Sequence, residues 1–188
     1  MAIWLASGSQ RRAIILSRLF SDIHSAPIGG VDEAPPNGSV SSQVLTICKR
    51  KAFAIPRNHD FGLVIVSDTM VADPDDINVS MGKASDEFSA VTMLKKLSGC
   101  RHRVWSATGV QILGEWEFFV DSAVVEVDEL SIEELGHLIT SGSWKGKAGS
   151  YDLAGEMGKH ARLVDGDELS VLGFAPSAID LVSSYYAK

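Results

Sequence analysis

The sequence predicts an α/β fold in which a mixed, twisted sheet is flanked by helices, within a single domain of residues 1–188. Helical and strand-like patterns alternate through much of the chain, as they do in α/β proteins. Phe61–Val66 is a continuous apolar run, typical of a strand buried on both faces. No linker or internal repeat divides the chain, and its length suits one domain, or one domain with two lobes around a cleft.

The N-terminal third alternates strand and helix patterns. Ile3–Ala6 is predicted to be a short strand, and the turn Ser7–Ser9 leads into a helix that ends near Phe20. Residues 27–39 are rich in Gly, Pro and Asn and predict a loop. A second helix is expected from about Ser39 to Ile55.

The remaining elements follow the 61–66 strand. After a polar loop over 73–82, a helix is expected to begin with Ser85 as its cap and to end before Gly99. The strands 103–112 and 116–127 are expected to form a hairpin that turns near Gly114–Glu115. Helices are expected over 131–140 and 176–186, and a Gly- and Lys-rich loop over 143–158.

Composition limits the classes of partner. The net charge of −7 argues against binding to nucleic acid, which needs a basic face, but it leaves room for a local basic pocket around a small anion. No apolar run has the length of a membrane helix, and the N-terminus lacks the pattern of a signal peptide. The two cysteines argue against a disulfide framework and indicate a reducing, cytoplasmic location.

The turn Ser7–Arg12 carries charge in an unfavourable place. Arg11 and Arg12 fall at a helix N-terminus, which is already the positive end of the helix dipole. A bound anion would reverse this penalty, because hydroxyl, backbone N–H and guanidinium groups together cradle phosphate. Pairing of both arginines with surface carboxylates explains the sequence equally well.

Lys51 interrupts an apolar stripe of the second predicted helix, whose other members are Val40, Val44, Ile47 and Ile55. A lysine that points inward needs an anionic partner. Its long side chain can instead reach the surface, which is the more common outcome for a single lysine.

Asp68 follows the buried strand, and the carboxyl ends of central strands face the ligand crevice in α/β sheets. An acid there suits a metal ligand or a general base, although a strand-ending Asp also forms turns. Glu33 offers a second carboxylate, while acids in loops are usually only solvated. Lys83, after Gly82, and the segment Lys145–Gly149 combine glycine with positive charge, and either can equally be a plain exposed loop.

Taken in order, these segments resemble the Maf family of nucleotide pyrophosphatases, also described as septum-formation-inhibitor-like proteins. The resemblance runs from Leu5 to about Pro176. No single motif is specific, but their shared order and spacing is a strong signal. The matching segments are Leu5–Arg12 (family L-A-S-x-S-P-R-R), Val31–Glu33 (V-D-E), Lys51–Ala52 (K-A), Asp68–Val71 (D-T-x-V), Gly82–Lys83 with Met93–Val104 (G-K-P…M-L-x-x-L-S-G-x-x-H-x-V), Lys147–Tyr151 (K-A-G-x-Y) and Val171–Gly173 (V-x-G-L-P).

The resemblance implies a Maf/ITPase-like fold, with two lobes around a nucleotide-binding groove, and often a homodimer. It also implies cleavage of a nucleoside triphosphate between the α- and β-phosphates, with Mg²⁺ or Mn²⁺ as cofactor. Glu33 and Asp68 are then expected to hold the metal and activate water, with Lys51 and Lys83 completing the catalytic group. The residues expected to bind substrate are Ser7, Ser9, Arg11, Arg12, Thr69 and Lys147.

The chain departs from the family pattern in four places, one of which is the closing motif, where Gly173–Pro176 reads G-F-A-P rather than G-L-P. Gln10 and Ala84 replace prolines, and Ala154 stands where the family has Gln or Glu. Since alanine cannot hydrogen-bond a base or water, this difference points to weakened or redirected activity. Arg11 and Thr69 are the residues found in members that prefer dTTP and UTP, so the resemblance favours pyrimidine triphosphates.

Two other classes of function stay open. The chain can be a catalytically weak or inactive nucleotide-binding regulator of the same fold, linked to cell division and septum formation, which Ala154 favours. A nucleic-acid-binding module is the third reading, and the negative net charge argues against it.

Overall fold

The computed structural model describes residues 2–186, in which seven strands, six α-helices and one 3₁₀ segment are formed. The strands are β1 Ile3–Leu5, β2 Ile23–Ser25, β3 Leu63–Ala72, β4 Ser80–Met81, β5 Arg101–Ile112, β6 Glu115–Val127 and β7 Ala161–Asp165. The helices are α1 Gln10–Leu19, α2 Val40–Phe53, α3 Glu87–Leu97, α4 Ile132–Thr140, α5 Glu168–Leu172 and α6 Pro176–Tyr186, and the 3₁₀ segment is Glu156–Lys159.

All seven strands belong to one mixed sheet, which confirms the predicted α/β class. The strand order is β2-β1-β3-β5-β6-β7, and β4 pairs with β3 outside this path. β1 is parallel to both β2 and β3, whereas β3, β5, β6 and β7 pair antiparallel. The long β3, β5 and β6 strands form the centre of the molecule.

Helices cover both faces of this sheet because successive side chains of a strand point to opposite sides. Leu63 and Ile65 of β3 pack in the same apolar cluster as residues of α1 and α6. Val64 and Val66 point the other way and pack in a cluster with α2. A third cluster joins α3 and α4 to the far ends of β5 and β6, so the sheet carries two lobes.

One edge of β3 is left open at its middle. β1 pairs with β3 only as far as Ile65, and β4 begins to pair on the same edge at Val71. The opposite edge is continuous, because β5 pairs with β3 from Leu63 to Val71. The gap between β1 and β4 therefore leaves residues 66–70 of the central strand without a partner on this edge among the described strands.

Several local predictions are wrong in detail. Asp68 lies within β3 rather than after it, because pairing with β5 continues past it, opposite Ala107. The hairpin turns at Leu113–Gly114, which both have positive φ (52° and 88°), as a two-residue hairpin turn needs. Asp86, not Ser85, caps α3. The short elements β2, β4, β7 and α5 were not anticipated, since two to five residues carry little periodicity.

None of the helices in this part of the chain combines the length and the apolarity needed to cross a lipid bilayer.

Candidate active site

A cleft of about 850 Å³ lies between the two lobes. One wall is formed by residues 7–12 and the loop around 27–33, and the other by Lys83 and the segment 145–154. A smaller pocket of about 90 Å³ adjoins it and reaches Asp68, Thr69 and Tyr151. The two share Arg12 and Lys51 in their walls, so the small pocket is the deep end of one site at the open edge of β3.

Lys51 lies between two carboxylates at this deep end. Its Nζ atom donates to Asp68 Oδ1 at 2.7 Å and lies 3.1 Å from Glu33 Oε1. The side chains of Lys51 and Asp68 are 13% and 12% exposed, whereas Glu33 is half exposed. Of the two alternatives for Lys51, the structure shows the less common one: the side chain points inward to an anionic partner, and Asp68 faces it from the α2 side of the sheet.

Arg12 fills the gap in the sheet from the opposite face. Its guanidinium donates to the carbonyl oxygens of Ser67 (3.1 Å) and Gly173 (2.8 Å) and to Thr69 Oγ1 (2.8 Å). Thr69 Oγ1 in turn donates to Ser106 Oγ, whose own proton goes to the Ser170 carbonyl. Burial lowers the pKa of the Arg12 guanidinium, and the nearby Asp68 charge acts in the opposite direction. The position of Arg12 is therefore fixed by protein groups alone.

The turn before α1 presents its donors to the cleft. Ser9 is the N-cap residue, and its Oγ accepts from the Arg12 N–H at 3.4 Å. Ser7 Oγ accepts from the Ser9 N–H and from the Arg12 guanidinium. Positive helix-terminal charge and two guanidinium groups thus meet at one turn, which suits an anion.

Arg11 and Lys147 reach the cleft from opposite walls and share one carboxylate. Arg11 Nη1 lies 3.3 Å from Asp152 Oδ1, and Lys147 Nζ lies 3.4 Å from Asp152 Oδ2. Of the two arginines, only Arg11 pairs with a carboxylate among residues 2–186. Its partner Asp152 lies in the cleft, with a side chain that is 19% exposed, rather than on the open surface.

The two lysine-bearing segments of the second wall are joined to each other. Lys83 pairs with Ala148 in an isolated bridge, and the Gly149 N–H donates to the Gly82 carbonyl. Gly149 and Ser150 both adopt positive φ (65° and 62°), a conformation that is strained for serine. Held this way, the segment turns Tyr151 into the core and leaves Asp152 in the cleft.

Tyr151 is anchored by a buried histidine of β5. Tyr151 Oη and His102 Nε2 lie 2.7 Å apart, and both residues are buried. Burial lowers the pKa of His102 to about 4 and raises the pKa of the Tyr151 phenol above its usual range. The pair is therefore uncharged at neutral pH.

All ten residues proposed from the sequence line this cleft: Ser7, Ser9, Arg11, Arg12, Glu33, Lys51, Asp68, Thr69, Lys83 and Lys147. Sequence reasoning assigned no role to Asp152, His102, Tyr151 or Gly173. Three of these fall within the family motifs and could have been found there. Asp152 lies just after the Lys147–Tyr151 motif, so nothing in the sequence marked it.

The arrangement at Lys51 fits a divalent cation beside the carboxylates. Oxygens of Asp68 and Glu33 already converge on one cationic group, and hard oxygen donors are those that Mg²⁺ and Mn²⁺ prefer. Hydrogen bonds and ion pairs within residues 2–186 use one oxygen of each carboxylate, which leaves the second for another ligand. No group of three or more His, Cys, Asp or Glu in that part of the chain could hold a metal by itself, so substrate oxygens or water would complete the shell.

The fold and the cleft define an α/β protein with a cationic groove that has two carboxylates at its base. A model of the family described as Maf-like protein matches residues 2–180. The chain belongs to this family, as its motifs predict.

Curated relatives match nearly the whole chain. The dTTP/UTP pyrophosphatase of Thermococcus gammatolerans is 36% identical, with 90% of this chain and 89% of that protein covered. The dTTP/UTP pyrophosphatase of Zymomonas mobilis is 33% identical, with 90% and 83% covered. The nucleoside triphosphate pyrophosphatase of Ehrlichia ruminantium is 29% identical, with 90% and 88% covered.

Among solved structures, the Ham1 protein of Staphylococcus aureus aligns with a TM-score of 0.45 at 16% identity, covering 68% of this chain and 72% of that chain.

Proposed function

We propose that this protein is a metal-dependent nucleoside triphosphate pyrophosphatase that releases a nucleoside monophosphate and pyrophosphate. The observation that carries the proposal is the Asp68–Lys51–Glu33 group at the deep end of a cleft lined by arginines and lysines. Carboxylates beside a divalent cation serve water activation, and the surrounding cations neutralise the polyphosphate. Family membership and relatives that carry this activity in their names support the same reaction.

The triphosphate lies along the cationic walls in this proposal. The hydroxyls of Ser7 and Ser9, the N-terminal N–H groups of α1 and the side chain of Arg11 hold phosphate oxygens. Lys83 and Lys147 approach from the other wall. Binding from both sides keeps the reacting phosphate in line with the attacking water, and this alignment supplies much of the rate.

Asp68 is the general base in this mechanism. Lys51 donates to Oδ1, which fixes the orientation of the carboxylate, and the carboxylate accepts the proton of the attacking water. Glu33 and Asp68 would hold Mg²⁺ or Mn²⁺. The bound metal supplies charge neutralisation at the phosphates and a more acidic water.

Arg12 and Thr69 act together on the opposite face of β3. Since Thr69 Oγ1 is committed to Arg12 and Ser106, its contribution to substrate binding is to aim the Arg12 guanidinium into the cleft. Arg12 then stabilises charge on the phosphates while its other donors stay on Ser67 and Gly173.

We further propose dTTP and UTP, or other pyrimidine triphosphates, as the preferred substrates. Arg11 and Thr69 match the family pattern for this group, and relatives named for dTTP and UTP align across the chain. The two free cysteines support a cytoplasmic location. The family resemblance supports a homodimer, and the negative net charge supports the proposal that the protein does not bind nucleic acid.

One observation favours a second function. Ala154 is exposed, lines the cleft and offers no polar side-chain atom where the family has Gln or Glu. A protein that binds the nucleotide without hydrolysing it, as a regulator linked to cell division, would tolerate this residue.

The test is hydrolysis of each common nucleoside triphosphate by the purified protein with Mg²⁺ or Mn²⁺, with pyrophosphate and monophosphate quantified. Asp68→Asn is the critical variant. Asp73→Asn is its matched control, because Asp73 is also a buried acid at β3 that pairs with a helical lysine, Lys96, but lies outside the cleft. Pyrophosphate release that is lost in the first variant and kept in the second supports the enzyme. Thermal stabilisation by a nucleotide without product supports the regulator.

A further inference from the structure

Asp152 connects the two walls of the cleft, and the proposed function makes no use of it. Its two carboxylate oxygens each face a different cation: Arg11 from the start of α1, and Lys147 from the opposite wall. Its side chain is 19% exposed, so these contacts are partly shielded from solvent.

The cations that Asp152 engages are those assigned to the polyphosphate. A carboxylate has two oxygens, as each edge of a phosphate tetrahedron does, and a guanidinium binds either in the same manner. Phosphate and Asp152 therefore compete for the same two groups.

We infer that Asp152 is a competing anion within the polyphosphate subsite and sets how tightly pyrophosphate is held. In the nucleotide-free protein Asp152 neutralises Arg11 and Lys147. Phosphate oxygens displace it on binding, and it recovers both cations as pyrophosphate leaves. Because it offsets ground-state and product binding, it favours turnover over retention of product. This inference rests on the proposed function.

Two features of the neighbouring chain keep Asp152 in this position. Tyr151 is anchored in the core by His102, and Gly149 and Ser150 are locked in positive-φ conformations. Asp152 is thus presented by a rigid segment, and its carboxylate returns to the same place after each displacement.

The test is calorimetric titration of inorganic pyrophosphate, with Mg²⁺ present, into the intact protein and its variants. Asp152→Asn and Asp152→Ser both remove the charge, and pyrophosphate should bind each of them about three- to tenfold more tightly, as expected for loss of two partly exposed ion pairs. Asp152→Glu keeps the charge and should stay within about twofold of the wild type.

The matched control is Glu126→Gln. Glu126 also pairs with two cations, Arg101 and Arg162, and its side chain is 21% exposed, but it does not line the cleft. It changes the net charge by the same amount, so unchanged pyrophosphate affinity here shows that the effect of Asp152 is local.

Unchanged or weaker pyrophosphate binding in folded Asp152→Asn and Asp152→Ser proteins overturns the inference, since Asp152 would then only support the cations. If the wild type hydrolyses nucleotides while these variants bind pyrophosphate as it does, the inference fails and the proposed function stands. If the wild type neither hydrolyses nucleotides nor binds pyrophosphate, the proposed function fails and the inference fails with it.

Discussion

Gly173 and Arg12 touch so closely that no side chain fits between them. A Cβ atom at position 173 would lie 2.7 Å from Arg12 Nε, the same atom that donates to the Gly173 carbonyl at 2.8 Å. Gly173 also has a φ of +117°, which side-chain-bearing residues rarely adopt. The end of α5 is therefore shaped to hold one guanidinium.

Gly173→Ala is expected to displace Arg12 and to lower kcat/KM for nucleotide hydrolysis on the order of 100-fold, because small shifts of a charge-stabilising group are costly. The backbone strain also costs about 1–3 kcal/mol of unfolding free energy. Gly99→Ala is the control: its φ is +71° and nothing lies within 4 Å of an added Cβ. Equal losses of activity in both variants would show that backbone strain, rather than displacement of Arg12, lowers the activity.

Lys51→Met should lower kcat/KM for nucleotide hydrolysis at least about 100-fold, because Asp68 loses the donor that orients it. The free energy of unfolding should also fall by about 1–3 kcal/mol, since Asp68 is left nearly buried without its partner. Lys49→Met, on the exposed side of the same helix, should keep both activity and stability. Activity within twofold of the wild type for Lys51→Met would remove this lysine from the mechanism.

Ala154→Gln should restore a polar group to the cleft. One new hydrogen bond is expected to raise kcat/KM for dTTP and UTP about three- to tenfold, with purine triphosphates unchanged. Ala154→Leu adds similar bulk without the amide and should give no gain. An equal gain in kcat/KM for all nucleotides would mean that the residue at position 154 does not contribute to base specificity.

Stability should fall in mild acid because of His102. Burial depresses its pKa to about 4, from 6.5 in the unfolded chain. As the pH falls below 6.5, His102 becomes protonated in the unfolded state but stays neutral in the native state until about pH 4. The native state therefore loses stability between pH 6.5 and pH 4. The loss is about 2 kcal/mol at pH 5 and about 3 kcal/mol below pH 4.

Urea unfolding at pH 7 and pH 5 measures this effect against His102→Gln, which keeps every other titrating group. The wild type should lose about 2 kcal/mol more than the variant between the two pH values. The same loss in both proteins would show that His102 is not the group responsible.

The sequence was enough to predict the fold class, the family and most of the cleft. Lys51 stood out because helical periodicity alone places it among apolar residues, and the structure supplies the acidic partner that this position needs. The roles assigned to the cleft residues stay predictions until the variants are measured.

Other features depend on packing that no local pattern carries. Asp68 was expected at a strand end because polarity follows the apolar run, but the β5 neighbour extends the ladder beyond it. Asp152 meets Arg11 across 141 residues of sequence, and although Arg11 stands out at a helix N-terminus, no local pattern marks Asp152 as its partner. The close approach of Gly173 to Arg12 likewise arises only when α5 docks against the sheet.

The link between Arg12 and Gly173 also has a consequence for synthesis. The two residues are 161 positions apart, so a ribosome must add 161 residues after Arg12 before this acceptor exists. Until then only Ser7, Ser67 and Thr69 can hold the guanidinium, and the less completely covered edge of β3 favours association between chains. The protein should therefore gain its nucleotide site late and abruptly, and chaperone contact during translation should persist until residues beyond 173 emerge.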